Sequence, residues 1–95
     1  MNRFKFIGWC NSEGHDKIWA VLELQPHRRY ATIWGRRGKT LQSKIIDTNW
    51  HEVRKLIGSK QRKDYIPFNL TQLAQVYPEF EADLEKTAFW AILKG

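Results

Sequence analysis

The first half of this 95-residue chain alternates like strands, and the second half turns helical. "RFKFIGW" (3–9) predicts a short strand with Phe4 and Phe6 on one face. "CNSEGHD" follows as turn material, rich in residues that tolerate tight backbone geometry. In "KIWAVLEL" (17–24), Ile18, Ala20, Leu22 and Leu24 fall on one face and Trp19, Val21 and Glu23 on the other, the period of a strand. "QPHR" is a second turn and "RYATIW" (29–34) a third strand. "GRRGK" reverses the chain again before a fourth strand, "TLQSKII" (40–46). Short strands separated by short turns argue for an antiparallel meander.

From residue 49 the period changes. Asn49 followed by Glu52 fits an N-cap with its capping-box partner. Trp50, Val53, Leu56 and Ile57 form the apolar stripe of a helix near 50–63. Gly58, about 1 kcal/mol poorer than Ala in a helix, offers an earlier stop. "YIPF" is extended and a candidate last strand, and "NLTQLAQ" is a helical turn. A final helix is predicted over 79–93. Pro78 suits its first position. Glu79, Glu81 and Asp83 near one end and Lys94 at the other complement the helix dipole. Phe80, Leu84, Ala88 and Ile92 share a face, whereas "AFWAIL" (88–93) is apolar all round and demands burial on more than one side. The expected fold is α+β: a small antiparallel meander of four to five strands, a helix after strand 4 and an additional C-terminal helix, with the helices on one face of the sheet. One domain is expected, comprising a sheet and helix over 1–66 and a helical extension over 67–95 packed on it.

Composition narrows the class. Aromatic residues make up 14% of the chain, including five Trp, so a core or a binding surface carries large rings. There is no internal repeat and no low-complexity tract. No apolar run approaches the roughly 18 residues of a membrane span, and the first residues lack the apolar core of an export signal. A single cysteine, Cys10, precludes an internal disulfide framework and suits a reducing compartment, so a cytoplasmic protein is expected. The net charge of +6 is unevenly spread. Residues 1–63 hold 14 Lys and Arg against 5 Asp and Glu, or +9, and residues 64–95 hold 2 against 5, or −3. A basic body points to an anionic partner, nucleic acid among them.

The stretch "WGRRG" (34–38) carries a more specific signal. It resembles the signature of the WGR domain, a small nucleic-acid-binding module of DNA-damage-dependent poly(ADP-ribose) polymerases and many bacterial proteins. Three blocks agree in order and spacing over residues 4–66. "DKIWAVLEL" supplies an early Lys17 and Trp19. The central block supplies Trp34, Gly35, Arg36, Gly38, Gln42 and Lys44. "EVRKLIGSKQRKDY" supplies Lys55, Leu56, Lys60, Lys63 and the closing Tyr65. The chain departs from the pattern at Leu41, where a second glycine is common, and at Asp64, where a glycine usually precedes the Tyr. Residues 67–95 have no counterpart, and nothing corresponds to a catalytic domain, so no enzyme activity is expected.

The resemblance implies that Trp34 packs on a nucleotide sugar near a strand break while basic neighbours hold phosphates. Residue parity supports a reachable ring, because Trp34 shares the more mixed strand face with Tyr30 and Thr32. Arg36, Arg37 and Lys39 are the adjacent cations, although the motif Arg of relatives also serves contacts between domains. Gly35 and Gly38 permit positive φ and a close approach of backbone to ligand. Gln42 and Lys44 share a strand face beside the turn. Lys60, Arg62 and Lys63 form a second cluster at a helix C-terminus, which favours cations in its own right. Arg28 and Arg29 form a third, in a hairpin turn, where solvated charge is the default. Cys10, His15 and Asp16 lack zinc-site spacing, and no metal or other cofactor is expected. The expected function is a stand-alone, non-enzymatic WGR-like DNA-binding protein, gripping phosphates with little sequence preference and favouring ends, nicks or junctions through Trp34. Two alternatives are a protein-interaction adaptor or homodimer using Phe89, Trp90 and Leu93, and RNA binding.

Overall fold

The computed structural model describes residues 4–12 and 14–87. Strands β1 (Phe4–Cys10), β2 (Lys17–Gln25), β3 (Arg29–Arg36) and β4 (Gln42–Asp47) form an antiparallel meander. Helix α1 (Trp50–Arg62) follows, then a two-residue strand β5 (Ile66–Pro67), helix α2 (Leu70–Val76) and helix α3 (Phe80–Glu85). The sheet order is β4-β3-β2-β1-β5, so the chain returns to β1 after crossing the sheet with α1. The fold is therefore α+β as the pattern predicts, with β5 as the fifth strand.

The helices do not share one face. Val53, Trp50 and Ile57 of α1 pack with Trp19, Val21, Tyr30 and Ile46 on one side of the sheet. Leu73 and Tyr77 around α2, with Phe80 and Leu84 of α3, pack with Ile7, Ile18, Ala20, Leu22, Ala31 and Ile33 on the other. Both faces of β2 and β3 are covered, which is why Trp19 and Val21 are as buried as their alternating neighbours. β1 also departs from simple alternation. A bulge sets Phe4 opposite Leu22 and Phe6 opposite Val21, an extra residue on β1. An inserted residue switches the side-chain faces of a strand. Phe4 therefore meets Phe80 on the α2–α3 side, and Phe6 meets Trp19 on the α1 side. Beyond the bulge, Gly8 lies under Phe6 and Tyr65, where a Cβ would approach a Phe6 ring carbon to 2.7 Å and the Tyr65 Cβ to 2.9 Å.

The ends of α1 follow from local chemistry. The Asn49 side chain accepts a hydrogen bond from the Glu52 amide at 3.0 Å, the expected N-cap. The Glu52 carboxylate turns to Lys55 Nζ, 3.6 Å away. The helix runs through Gly58 and closes in a Schellman motif: the Asp64 amide donates to the Gln61 carbonyl and the Tyr65 amide to the Lys60 carbonyl. Asp64 is the left-handed residue, at φ 69. The reciprocal capping box appears instead in α2, between Asn69 and Gln72. Pro78 lies before α3 rather than at its first position, in a turn where the Phe80 amide donates to the Tyr77 carbonyl. The helix expected over 79–93 closes at Glu85 among the described residues. The Lys86 and Thr87 amides bond back to Asp83 and Leu84 in tighter turns, and the Thr87 hydroxyl donates to the Leu84 carbonyl. Phe89, Trp90 and Leu93 lie outside the described residues.

Candidate nucleic-acid interface

The β2–β3 hairpin turns at Pro26 and His27 and sets Trp19 opposite Trp34 and Lys17 opposite Arg36. Pairing of β3 with β4 then sets Gln42 opposite Trp34 and Lys44 opposite Thr32. Paired residues share a sheet face. Trp34, Gln42 and Lys44 therefore lie on the side covered by α1. On that face of β3, Tyr30 is buried beneath the helix against Trp50, Thr32 is buried, Trp34 is half-buried and Arg36 at the far end is exposed.

α1 completes the site. Its inward stripe runs Trp50, Val53, Ile57 and then Lys60, a cation where the spacing would place another apolar residue. Lys60 Nζ lies 5.5 Å from the Trp19 ring centre and 5.9 Å from that of Tyr65. Such placement over aromatic faces contributes about 0.5–1 kcal/mol at accessible sites. Burial, and secondly the neighbouring Lys63, hold the Lys60 ammonium below the usual lysine range. Around this group lies an open cavity of about 350 Å³ lined by Trp19, Thr32, Trp34, Lys44, Ile46, Leu56, Lys60 and Tyr65. Its described lining residues include three aromatic rings, two lysines and no carboxylate.

A second cavity, of about 540 Å³, shares Lys60 and Tyr65 with the first and is otherwise lined by Cys10, Ser12, His15, Lys17, Lys63 and Asp64. Together the two make a cationic trough along the C-terminal end of α1, with Asp64 as the one carboxylate among its described lining residues. Burial pushes the Tyr65 hydroxyl up in pKa, with the Cys10 sulfur adding to it.

The structure thus brings Trp34, Lys44, Lys60 and Lys63 into one trough and leaves Gln42 exposed at its rim. Arg36 and Lys39 are exposed and carry no ion pair among the described residues. Arg62 is exposed too, its Nη1 3.4 Å from the place a Cβ on Gly58 would take. Arg37 is held elsewhere. Its Nε donates to Asp16 Oδ2 at 3.0 Å, its Nη1 donates to the Val76 carbonyl at 2.7 Å, and its guanidinium lies 5.4 Å from the Trp9 ring centre. Trp9 Nε1 donates to the other Asp16 oxygen. The motif turn is therefore fastened to the α2 side. The Lys39 amide donates to the Arg36 carbonyl, and Gly38 takes φ 80, the left-handed third position of a type II turn. Gly35 makes room for its own chain: a Cβ there would stand 3.2 Å from Leu41 Cδ2 and 3.3 Å from the Thr40 carbonyl.

Arg29 pairs with Asp47 at the opposite end of the sheet, leaving the third basic cluster outside the trough. Among the described residues, no group of three or more His, Cys, Asp or Glu side chains is arranged to hold a metal, and no helix is long and apolar enough to cross a membrane. The sequence reading left Lys17, Trp19 and Tyr65 out of the site. Hairpin register is the signal that finds the first two: folding about Pro26–His27 pairs them with Arg36 and Trp34. No family model, no curated protein and no solved structure matches this chain.

Proposed function

We propose that this chain is a WGR-like DNA-binding module that holds the phosphate backbone through its lysine-lined trough and favours nicks, ends or junctions through Trp34. The observation that carries the reading is the cavity in which Trp34 stands with Lys44 and Lys60 and, among the described lining residues, no carboxylate. Lysines act on phosphates as point charges and carry little sequence information. Bases inside a duplex are already stacked, so an accessible indole gains most where stacking is broken. Stacking on an unpaired base contributes about 1–3 kcal/mol, and packing on a sugar less. Arg37 stays with its intramolecular partners, whereas Arg36, opposite Lys17, and Gln42, opposite Trp34, would extend the contact, and Lys39 is an exposed cation of the motif turn. No step of this role requires catalysis. A cytoplasmic setting fits Cys10, a buried free thiol.

The test is a titration of a nicked duplex and its intact counterpart at several salt concentrations, with matched RNA as competitor. The nicked form is expected to bind more tightly, and affinity to fall with salt by a slope of about 0.9 per phosphate contact. Trp34→Ala is expected to abolish the difference between the two duplexes while keeping the salt slope. Equal affinities for both duplexes with the wild-type chain would remove the assigned role of Trp34. Salt-independent binding would remove the backbone grip.

A further inference from the structure

We propose that Lys60 is an acyl acceptor, with the adjoining cavity docking a small acyl phosphate whose acyl group passes to Nζ. The cavity of about 540 Å³ is large enough for such a donor. Among the described residues its titratable lining comprises Lys17, Lys60, Lys63 and His15, together with Asp64, Cys10 and Tyr65, so lysines outnumber the one described carboxylate. An acyl phosphate is anionic, and its leaving group is phosphate. The same lysines that concentrate the donor also stabilise the charge that departs.

Among the described lysines of this cavity, Lys60 differs from Lys17 and Lys63 in lying against two aromatic rings. Lys5, Lys55 and Lys86 are paired with Glu23, Glu52 and Asp83. Lys39 and Lys44 stand exposed, away from this cavity. Lys60 lies against the Trp19 and Tyr65 rings, carries no ion pair among the described residues, and has Lys63 as a cationic neighbour. Partial desolvation beside a second cation is the environment that frees a lysine amine for nucleophilic attack.

The step balances without a further reagent. The Nζ lone pair attacks the acyl carbon, the bond from that carbon to the phosphate oxygen breaks, phosphate leaves, and the amine proton passes to solvent. The product is a neutral amide packed on the two rings. The consequence for binding rests on the DNA-binding reading: acylation removes the cation shared by both cavities.

Incubation of the folded chain with acetyl phosphate, followed by site-resolved mass spectrometry, tests the chemistry without DNA. Lys60 is expected to acetylate several-fold faster than Lys39 or Lys55. Lys17→Ala and Lys63→Gln are each expected to slow Lys60 while leaving Lys39 unchanged, and inorganic phosphate to compete. A Lys60 rate at or below that of Lys39, or one indifferent to both variants, would overturn the proposal. DNA titration of the acetylated chain against Lys60→Arg, which keeps the charge and resists acylation, reads the consequence separately. A salt slope reduced by about 0.9 in the acetylated chain alone is expected. Fast acetylation with no DNA binding by any form would sink the DNA reading and leave the acylation site standing.

Discussion

Asp64→Gly is expected to make the protein both more stable and a tighter DNA binder. Asp64 closes α1 in the left-handed region, at φ 69, with its amide and that of Tyr65 satisfying the Gln61 and Lys60 carbonyls. An L-residue in that conformation costs roughly 1–2 kcal/mol, with Asp and Asn at the lower end. Glycine removes this cost but gains about 0.4–1 kcal/mol of freedom in the unfolded chain. The net expectation is up to about 0.6 kcal/mol of added stability, which raises Tm by up to roughly 5 °C for a domain of this size. The same change removes the carboxylate from the cavity of Lys17, Lys60 and Lys63. One fewer like charge near a phosphate strengthens binding by about 0.5–1 kcal/mol at low salt, a few-fold in Kd.

Two companion variants separate the effects. Asp64→Asn keeps a side chain that tolerates the left-handed turn, so it should tighten DNA binding with little change in stability. Asp64→Ala should destabilise by about 1 kcal/mol, yet bind DNA as the Asn variant does. Urea denaturation and fluorescence anisotropy on a labelled duplex supply the readouts. If Gly and Ala at this position are equally stable, the account of the helix terminus is refuted. If Asn binds DNA no better than Asp, Asp64 does not face the bound phosphates.

Gly8→Ala should cost about 1–3 kcal/mol by chemical denaturation through overpacking against Phe6 and Tyr65. Arg37→Ala should destabilise by about 1–3 kcal/mol, because it removes a hydrogen bond to the Val76 carbonyl and the partner of Asp16. It should nonetheless leave the salt slope of DNA binding unchanged, unlike Lys60→Ala. Stability should also fall at alkaline pH. Burial raises the Tyr77 hydroxyl pKa, aided by its hydrogen bond to Asp83 and partly offset by the Gly38 backbone, and burial likewise raises Tyr30 and Tyr65. The neutral form is favoured in the folded state, so this stability is intact below the ordinary tyrosine value of 10.0 and is lost as pH rises beyond it. In denaturation midpoints measured across that range, Tyr77→Phe should lose less stability than wild type.

The meander was legible because each short strand carries its own period and each turn its own Gly, Pro or Asn. The side of the sheet that each helix covers was not. With both faces of β2 apolar, Trp19 and Val21 suit burial as well as Ile18 and Ala20 do, and only the path of the chain decides which helix lies above. The split of Phe4 from Phe6 depends on one extra residue in β1, which alternation does not register. Arg37 looked like a phosphate ligand because its neighbours are cations, whereas its partners, Asp16 and Val76, are 21 and 39 residues away in sequence. Asp64 stood out as a departure from the motif's glycine, while its backbone role emerged only from the helix terminus. Trp34 and Lys44 were each legible as positions of the motif, but that they share a face follows only from the β3–β4 register. Lys60 joined them because the inward stripe of α1 continues past Ile57.

The most direct test of the central claim is a backbone and indole NMR shift map recorded while nicked duplex is added. The account predicts that perturbations concentrate at Trp34, Lys44, Lys60, Lys63 and Tyr65, fade as salt is raised, and spare Leu73, Tyr77 and Phe80 on the opposite side. Perturbations centred on the α2–α3 side, or spread evenly over both faces, would contradict it.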